Sequence, residues 1–280
     1  MKISYFPKQI ALNSEHVIGA FLKGCIKNGL TPVENTFDAD AAVIWSVLWA
    51  GRMSQNREVY YHFRKKGKPV FIIEVGALQR RKTWKLSVNH IDSSGIFPNV
   101  IIDFNRPSKL GIKLHDNRTD RKDSILIAGQ NQSSLLWEKM PPANKWVNEL
   151  VTDIRKFTDR PIIFRPHPRF PVTIDLPGIK IQNPVKINGS YDDFDFDFDY
   201  YAVINHNSGP SVQSVIQGTP IICDKTSLAY PMSNNLNQIN DLKLPFRDDW
   251  FINLCHTEWT VEEIEQGLPI YQLLQQIFDK

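Results

Sequence analysis

One short stretch brings together side chains that bind anions: Arg165-Pro166-His167-Pro168-Arg169, inside PIIFRPHPRF at 161–170. The two prolines lack backbone donors and hold φ near about −65°, which stiffens the loop and fixes where the imidazole of His167 points. Arg165 and Arg169 suit a phosphate, which a guanidinium grips through two parallel hydrogen bonds. A lone loop histidine is more often a surface or structural residue; the proline clamp and the flanking arginines reverse that balance toward a ligand contact.

A second stretch, VINHNSGPSVQSVIQGTPIICD at 203–224, reads as an apolar strand, a small polar turn Asn207-Ser208-Gly209, a proline and a short helix. The free N–H groups and the dipole at such a helix start favour an anion, and Asn207 or Ser208 can cap the helix or reach the ligand. The same residues are also ordinary turn chemistry. A third stretch, FIIEVGALQRRKTWK, ends an apolar strand on Glu74, with Gly76 behind it. Glu74 is a candidate general base, or a salt-bridge partner of Arg80, Arg81 or Lys82. The P-loop pattern and the dinucleotide fingerprint are both missing from the chain.

The elements that must position these residues alternate. KISYF, AAVIWSV and KPVFIIEVG read as strands, NSEHVIGAFLKGCIKNG and SQNREVYYHFRKKG as helices, the first capped by Asn13 or Ser14 and stopped by Gly29. A turn-rich tract at about 79–122 holds NVIIDF, read as one more strand, and the domain boundary. Alternation restarts with SILIAGQ, NKWVNELVTDIRKFT, PIIF, GIKIQN, YAVINH, GPSVQSVIQG and TPIICD, and closes with one or two helices in WTVEEIEQGLPIYQLLQQIFDK. Right-handed crossovers then predict an α/β chain of two Rossmann-like lobes, 1–122 and 123–280, each a parallel sheet covered on both faces and the two facing a cleft. Ligands of such lobes gather at the carboxyl ends of the strands, where all three stretches fall.

Charge is segregated. Residues 1–122 hold 20 Lys and Arg against 10 Asp and Glu, and residues 123–280 hold 13 against 20. The excess peaks between Arg52 and Lys85, which favours an acidic partner on the N-terminal part over a merely solvated helix end. The aspartates of YDDFDFDFDY at 191–200 alternate with aromatics, so neighbouring carboxylates on one strand face would stand about 7 Å apart, too far to share a cation; an acidic linker is the preferred reading over a metal site. Cys25, Cys223 and Cys255 lack paired spacing, no apolar run reaches about 18 residues, and MKISYFPKQI lacks a signal-peptide layout, so a cytoplasmic protein is expected.

RPHPR, the serine-containing turn with QGTPIICD, and LCHTEWTVEEIEQG together resemble the nucleotide-sugar lobe of GT-B glycosyltransferases, over roughly 124–267. Within that group the chain looks like the Kdo transferases of capsular polysaccharide synthesis and their sialyltransferase-like relatives. The resemblance implies that His167 with Pro168, and Ser208 with Gly209, hold the phosphate of a UDP- or CMP-sugar. It also implies that Glu74-Val75-Gly76 supplies the base and that transfer is inverting and needs no metal or other cofactor. Val75 departs from the acidic-acidic-Gly pattern, which leaves His90 and Asp92 as alternative bases.

The tract from Trp45 to Ile91 is similar to uncharacterised tailed-phage proteins. That likeness implies, as acceptor, a hydroxymethylated base such as hydroxymethylcytosine in bacteriophage double-stranded DNA. Arg80, Arg81, Lys82 and Lys85 would then track phosphates and Trp84 would act as a wedge. A capsular or surface polysaccharide acceptor, and a nucleotide-sugar epimerase on the same fold, are the alternatives.

Overall fold

A computed structural model describes residues 1–11, 14–174, 176–185 and 197–278. They form two compact units, Met1–Ile112 with Ile252–Lys280, and Lys113–Phe251.

The first unit carries β1 (Lys2–Tyr5), α1 (Glu15–Lys27), β2 (Thr31–Glu34), β3 (Ala41–Trp45), α2 (Asn56–Lys65), β4 (Val70–Val75), β5 (Trp84–Val88) and α3 (Arg106–Lys109). Val17, Ile18, Phe21 and Cys25 recur at helical spacing and bury one face of α1, and Gly29 and Gly67 stop α1 and α2 in the left-handed region. Val70 to Ile73 are buried without alternation, as expected of a strand covered on both faces.

The second unit carries β6 (Ile125–Ala128), α4 (Ala143–Arg155), β7 (Ile162–Arg165), β8 (Ile179–Ile181), β9 (Ala202–Ile204), α5 (Gly209–Ile216) and β10 (Ile221–Ile222). Its sheet, β10-β9-β6-β7-β8, is parallel throughout. The chain passes back through α6 (Asp248–Cys255) to β11 (Glu258–Trp259), α7 (Val261–Gln266) and α8 (Leu268–Phe278).

The α/β class and the parallel core of each sheet are as the sequence predicts; three local readings are corrected. The first sheet, β11-β5-β4-β3-β1-β2, is mixed, because β5 runs antiparallel to β4 and β11 antiparallel to β5. Strands β2, β5 and β11 were not anticipated. NVIIDF is no strand: Val100, Ile101 and Phe104 are exposed, and the segment is pinned by side chains, with Ile101 N–H donating to Gln272 Oε1 (3.0 Å) and Asp103 N–H to His256 Nε2 (2.9 Å). Asn13 and most of the acidic run, residues 191–196, lie outside the described residues. Asp197 and Asp199 pair with Lys122 at 2.7 and 2.8 Å.

Residues 252–280, read from the sequence with the second lobe, pack in the first unit. Trp259, Ile264, Ile270 and Leu273 join Phe21, Val43 and Leu86 in one core cluster. Arg106 anchors this return. Its guanidinium is buried, donates to Cys255 O (2.7 Å), Glu258 O (2.5 Å) and both oxygens of Glu263 (2.9 and 3.1 Å), and lies 3.8 Å from the Trp259 ring centre. Removing a buried, fully bonded charge strands its partners. Arg106→Ala is expected to lower unfolding stability by about 3 kcal/mol, read from urea denaturation.

His256, buried beside Arg106, accepts from Asp103 N–H on Nε2, so its proton sits on Nδ1 and donates to Ile252 O at 2.8 Å. Burial, helped by the Arg106 charge, pushes its pKa below the ordinary value, against the opposing pull of the Ile252 carbonyl, Asp103 and Glu263. The unfolded chain therefore binds this proton more readily, and the stability it provides is full above about pH 6.5 and lost as pH falls toward the folded pKa. The urea midpoint is expected to drop between pH 7 and pH 5, and His256→Gln to flatten that part of the profile.

Candidate functional site

In the second unit β7 and β8 extend to one side of β6, and β9 and β10 to the other. The connection from β6 runs to β7 and that from β9 runs the opposite way to β10, so the carboxyl ends of β6 and β9 flank a crevice, the switch point where open α/β sheets bind ligands. Three loops converge on it. Gly129-Gln130-Asn131 follows β6, Pro166-His167-Pro168 follows β7, and Asn205 to Ser208 lead from β9 into α5.

The first two loops touch through the backbone. Gly129 N–H donates to Arg165 O at 2.8 Å, and a Cβ at Gly129 would stand 3.1 Å from His167 N and 3.3 Å from Pro166 Cα. A side chain there would fit only if one of the two loops gave by a few tenths of an ångström. Arg169 N–H donates to His167 Nδ1 at 3.1 Å, so the proton of a neutral imidazole resides on Nε2. His167 is half-buried, Arg169 is exposed, and Arg165 is buried at 7% exposure. Burial pushes the Arg165 pKa below its ordinary value, against the nearby Tyr200 phenol.

The turn into α5 is held from several sides. Asn205, itself buried, donates from Nδ2 to Ser208 O (3.0 Å) and Ser208 Oγ (2.9 Å), and its Oδ1 accepts from Ser211 Oγ. Gln130 makes a double link to Asn207: its Nε2 donates to Oδ1 at 2.7 Å and its Oε1 accepts from Asn207 N–H at 3.2 Å. Asn207 Nδ2 donates onward to Thr226 Oγ1 (3.0 Å), which donates to Asp224 Oδ1 (2.7 Å) beyond β10. Burial alone would raise the Asp224 pKa. Hydrogen bonds from Thr226 and the charges of His206 and Lys225 outweigh it and hold the carboxylate below its usual range. Ser208 is the N-cap residue, with β-region backbone and no side-chain cap bond, so its hydroxyl is not committed to the helix. Two consequences follow for chemistry: α5 presents N–H groups and its positive dipole end to the crevice, and the loop of His167 borders the same crevice.

The sequence singled out His167, Pro168, Arg165, Arg169, Asn207, Ser208 and Gly209; six lie on loops or a strand end at this edge of one sheet, and Gly209 is the first residue of α5. It passed over Gln130, Asn205 and Thr226. Gln and Thr carry no motif signal; strand order alone brings them to the crevice.

In the first unit Glu74 is the last residue but one of β4, and its neighbours form a row across the sheet. Glu74 is opposite Lys85 on β5, and Lys85 is opposite Glu258 on β11. On the other side Ser46, just past β3, donates its hydroxyl to Glu74 Oε2 at 2.6 Å. Oε1 accepts from Val75 N–H (2.9 Å). Burial lowers the Lys85 pKa, and Glu258, Glu74 and Asp92 oppose it. His90 and Asp92 follow β5 just past Val88, which lies opposite Phe71. His90 Nε2 lies 3.3 Å from the Tyr60 hydroxyl, and Asp92 Oδ1 accepts from Ser94 N–H (3.0 Å) and Oγ (2.6 Å).

Trp84 is corrected. It is 7% exposed, edge-on to His16 and part of the core, because the alternation of β5 turns Trp84, Leu86 and Val88 inward together. It is no wedge. The basic excess is also divided: Arg64 to Lys68 precede β4, whereas Arg80, Arg81 and Lys82 follow it, at opposite ends of a six-residue strand about 20 Å long.

No protein-family model and no curated protein sequence matches the chain. Among solved structures, the β-Kdo 2,4 transferase of Thermosulfurimonas dismutans KpsC is similar at TM-score 0.52 and 10% identity, covering 96% of this chain and 98% of that one. The β-Kdo 2,7 transferase of the same KpsC is similar at TM-score 0.50 and 14% identity, covering 97% and 100%. These likenesses establish a fold in common, the GT-B plan of two Rossmann-like units. A UDP-GlcNAc 2-epimerase from Methanocaldococcus jannaschii, solved with UDP-GlcNAc and UDP, aligns at TM-score 0.36 and 12% identity over 99% of this chain and 100% of that one, too low a score to bear on the reading. No described helix is long and apolar enough to cross a membrane.

Replacing Gln130 by leucine removes both links to Asn207 while keeping the volume. Leaving these half-buried groups of Asn207 unmatched is expected to cost about 1 kcal/mol in urea denaturation and to speed amide exchange at Asn207.

Proposed function

We propose that the chain is a glycosyltransferase that moves a sugar from a nucleotide-sugar donor, UDP- or CMP-linked, to an acceptor hydroxyl. The observation that carries this reading is the convergence at one switch point of the rigid His167 loop and the α5 start, the latter braced by Gln130, Asn205 and Thr226. That assembly suits the phosphate next to the breaking glycosidic bond. The solved structures that share the fold at TM-score 0.50 and above carry the names of Kdo transferases, which also supports a transferase.

In this mechanism the acceptor hydroxyl attacks the anomeric carbon as the bond to the donor phosphate breaks. Glu74, its carboxylate oriented by Ser46, takes the hydroxyl proton. His167 Nε2–H and the N–H groups at the start of α5 stabilise the charge developing on the leaving phosphate, with Ser208 and Gly209 lining that turn. Single displacement of this kind inverts the anomeric centre and calls on no metal.

For the acceptor, a hydroxymethylated DNA base has lost its wedge with the burial of Trp84, and a surface polysaccharide becomes the favoured hydroxyl source.

A thermal-shift screen against UDP-, CMP- and GDP-sugars tests the donor: one class is expected to raise the melting temperature, and His167→Ala to weaken that class about tenfold. If no nucleotide sugar shifts the wild-type protein, the transferase reading falls and the fold stands. Conversion of the sugar without any acceptor would instead identify an epimerase.

A further inference from the structure

The turn that joins β4 to β5, Gly76 to Thr83, is built around a carboxylate contributed by a residue nearly 180 positions away. Glu258 is 1% exposed. Its Oε1 accepts from Ala77 N–H at 2.6 Å, its Oε2 from Leu78 N–H at 3.1 Å and from Thr83 Oγ1 at 2.7 Å. A Cβ at Gly76 would collide with this carboxylate and with Thr83 O, so the chain closes over Glu258 only with glycine there. The rest of the turn is bonded largely to itself: Gln79 O accepts from Lys82 N–H (3.1 Å) and Thr83 N–H (2.9 Å), Gln79 N–H donates to Thr83 Oγ1 (3.2 Å), and Gln79 Nε2 donates out of the turn to Gly111 O (3.4 Å).

On this frame stand Arg80, Arg81 and Lys82. Arg81 and Lys82 are exposed, and Arg81 is held at φ 68°, a strained backbone for arginine that the surrounding bonds maintain. Three consecutive residues span at most about 10 Å, the reach of one or two anionic groups. The other basic run, Arg64 to Lys68, lies at the opposite end of β4 and cannot extend the patch. A duplex, which is gripped through several phosphates along its length, is therefore a poor match, whereas a compact anion fits. The turn also follows directly on Glu74.

We infer that the Gly76–Thr83 turn is a preorganised anion site held in shape by Glu258, and that it receives the carboxylate or phosphate group of an anionic acceptor. The identity of the ligand as acceptor deepens the transferase reading and rests on it; the anion site itself does not. Glu258 is here a positioning residue. Its role gives a result that simple charge counting reverses: neutralising a carboxylate near a basic patch should tighten anion binding, whereas releasing the turn should weaken it.

Calorimetric titration of the full chain with tripolyphosphate, trigalacturonate and a 20-base-pair DNA duplex, without nucleotide sugar, tests this. One of the two small anions is expected to bind and so to name the group as phosphate or carboxylate. Arg81→Ser and Lys82→Ser should each weaken it about tenfold, and Glu258→Gln should weaken it at least about fivefold. Thr83→Val, which removes one of the Glu258 bonds, should give a smaller loss in the same direction and carries the test if Glu258→Gln does not fold. Unchanged or tighter binding in Thr83→Val or in folded Glu258→Gln overturns the proposal, as does failure of both small anions, or a preference for the duplex. The donor screen above is read separately, so failure of one leaves the other intact.

Discussion

Burial of the Arg106 guanidinium is the constraint on which the first unit depends. A charge at 3% exposure is tolerable only when every donor is matched, and here the matches are the carbonyls of Cys255 and Glu258 and the carboxylate of Glu263. Meeting that demand fixes the path of the returning chain. It sets Trp259 under the guanidinium, β11 alongside β5, and the Glu258 side chain beneath the turn that follows β4. A requirement of one cation thus determines where a carboxylate 152 positions away comes to rest.

The two units use the same device for different ends. In each, a turn at the carboxyl edge of a parallel core is shaped by a buried polar side chain from elsewhere: Gln130 for the turn into α5, Glu258 for the turn after β4. Such bonds add little net stability, since water would satisfy the same groups in the unfolded chain. Their effect is to remove alternatives. A backbone N–H already committed to a buried oxygen cannot rotate away, so the remaining donors and cations of the turn keep their directions.

Much of the scaffold was legible in the sequence. The buried apolar strands β3, β4, β6 and β9 and the helices α1, α2 and α4 follow from periodicity, because burial on one or both faces writes a pattern within a single segment. What escaped detection depends on distant partners. Strand β11 has two residues and exists only because β5 lies beside it, and β2 is short, contains a proline and is largely exposed. NVIIDF has strand composition but no edge to join, and side chains of α8 and His256 hold it instead. Trp84 was misjudged because its basic neighbours suggested a surface, although the alternation of Trp84, Leu86 and Val88 already pointed inward. The site was half readable: His167 and Ser208 announce themselves by local chemistry, while Gln130 and Glu258 matter only through topology.

The first unit is discontinuous, with Lys113–Phe251 inserted between its two segments. During synthesis the second unit is contiguous and can close as soon as it emerges, whereas the first waits for residues beyond Ile252. Until then the sheet edge at β5 is unpaired and the core around Phe21 and Leu86 is open to water. Closure of the first unit's core therefore draws on both ends of the chain, with Phe21 and Leu86 supplied by one segment and Trp259 and Leu273 by the other.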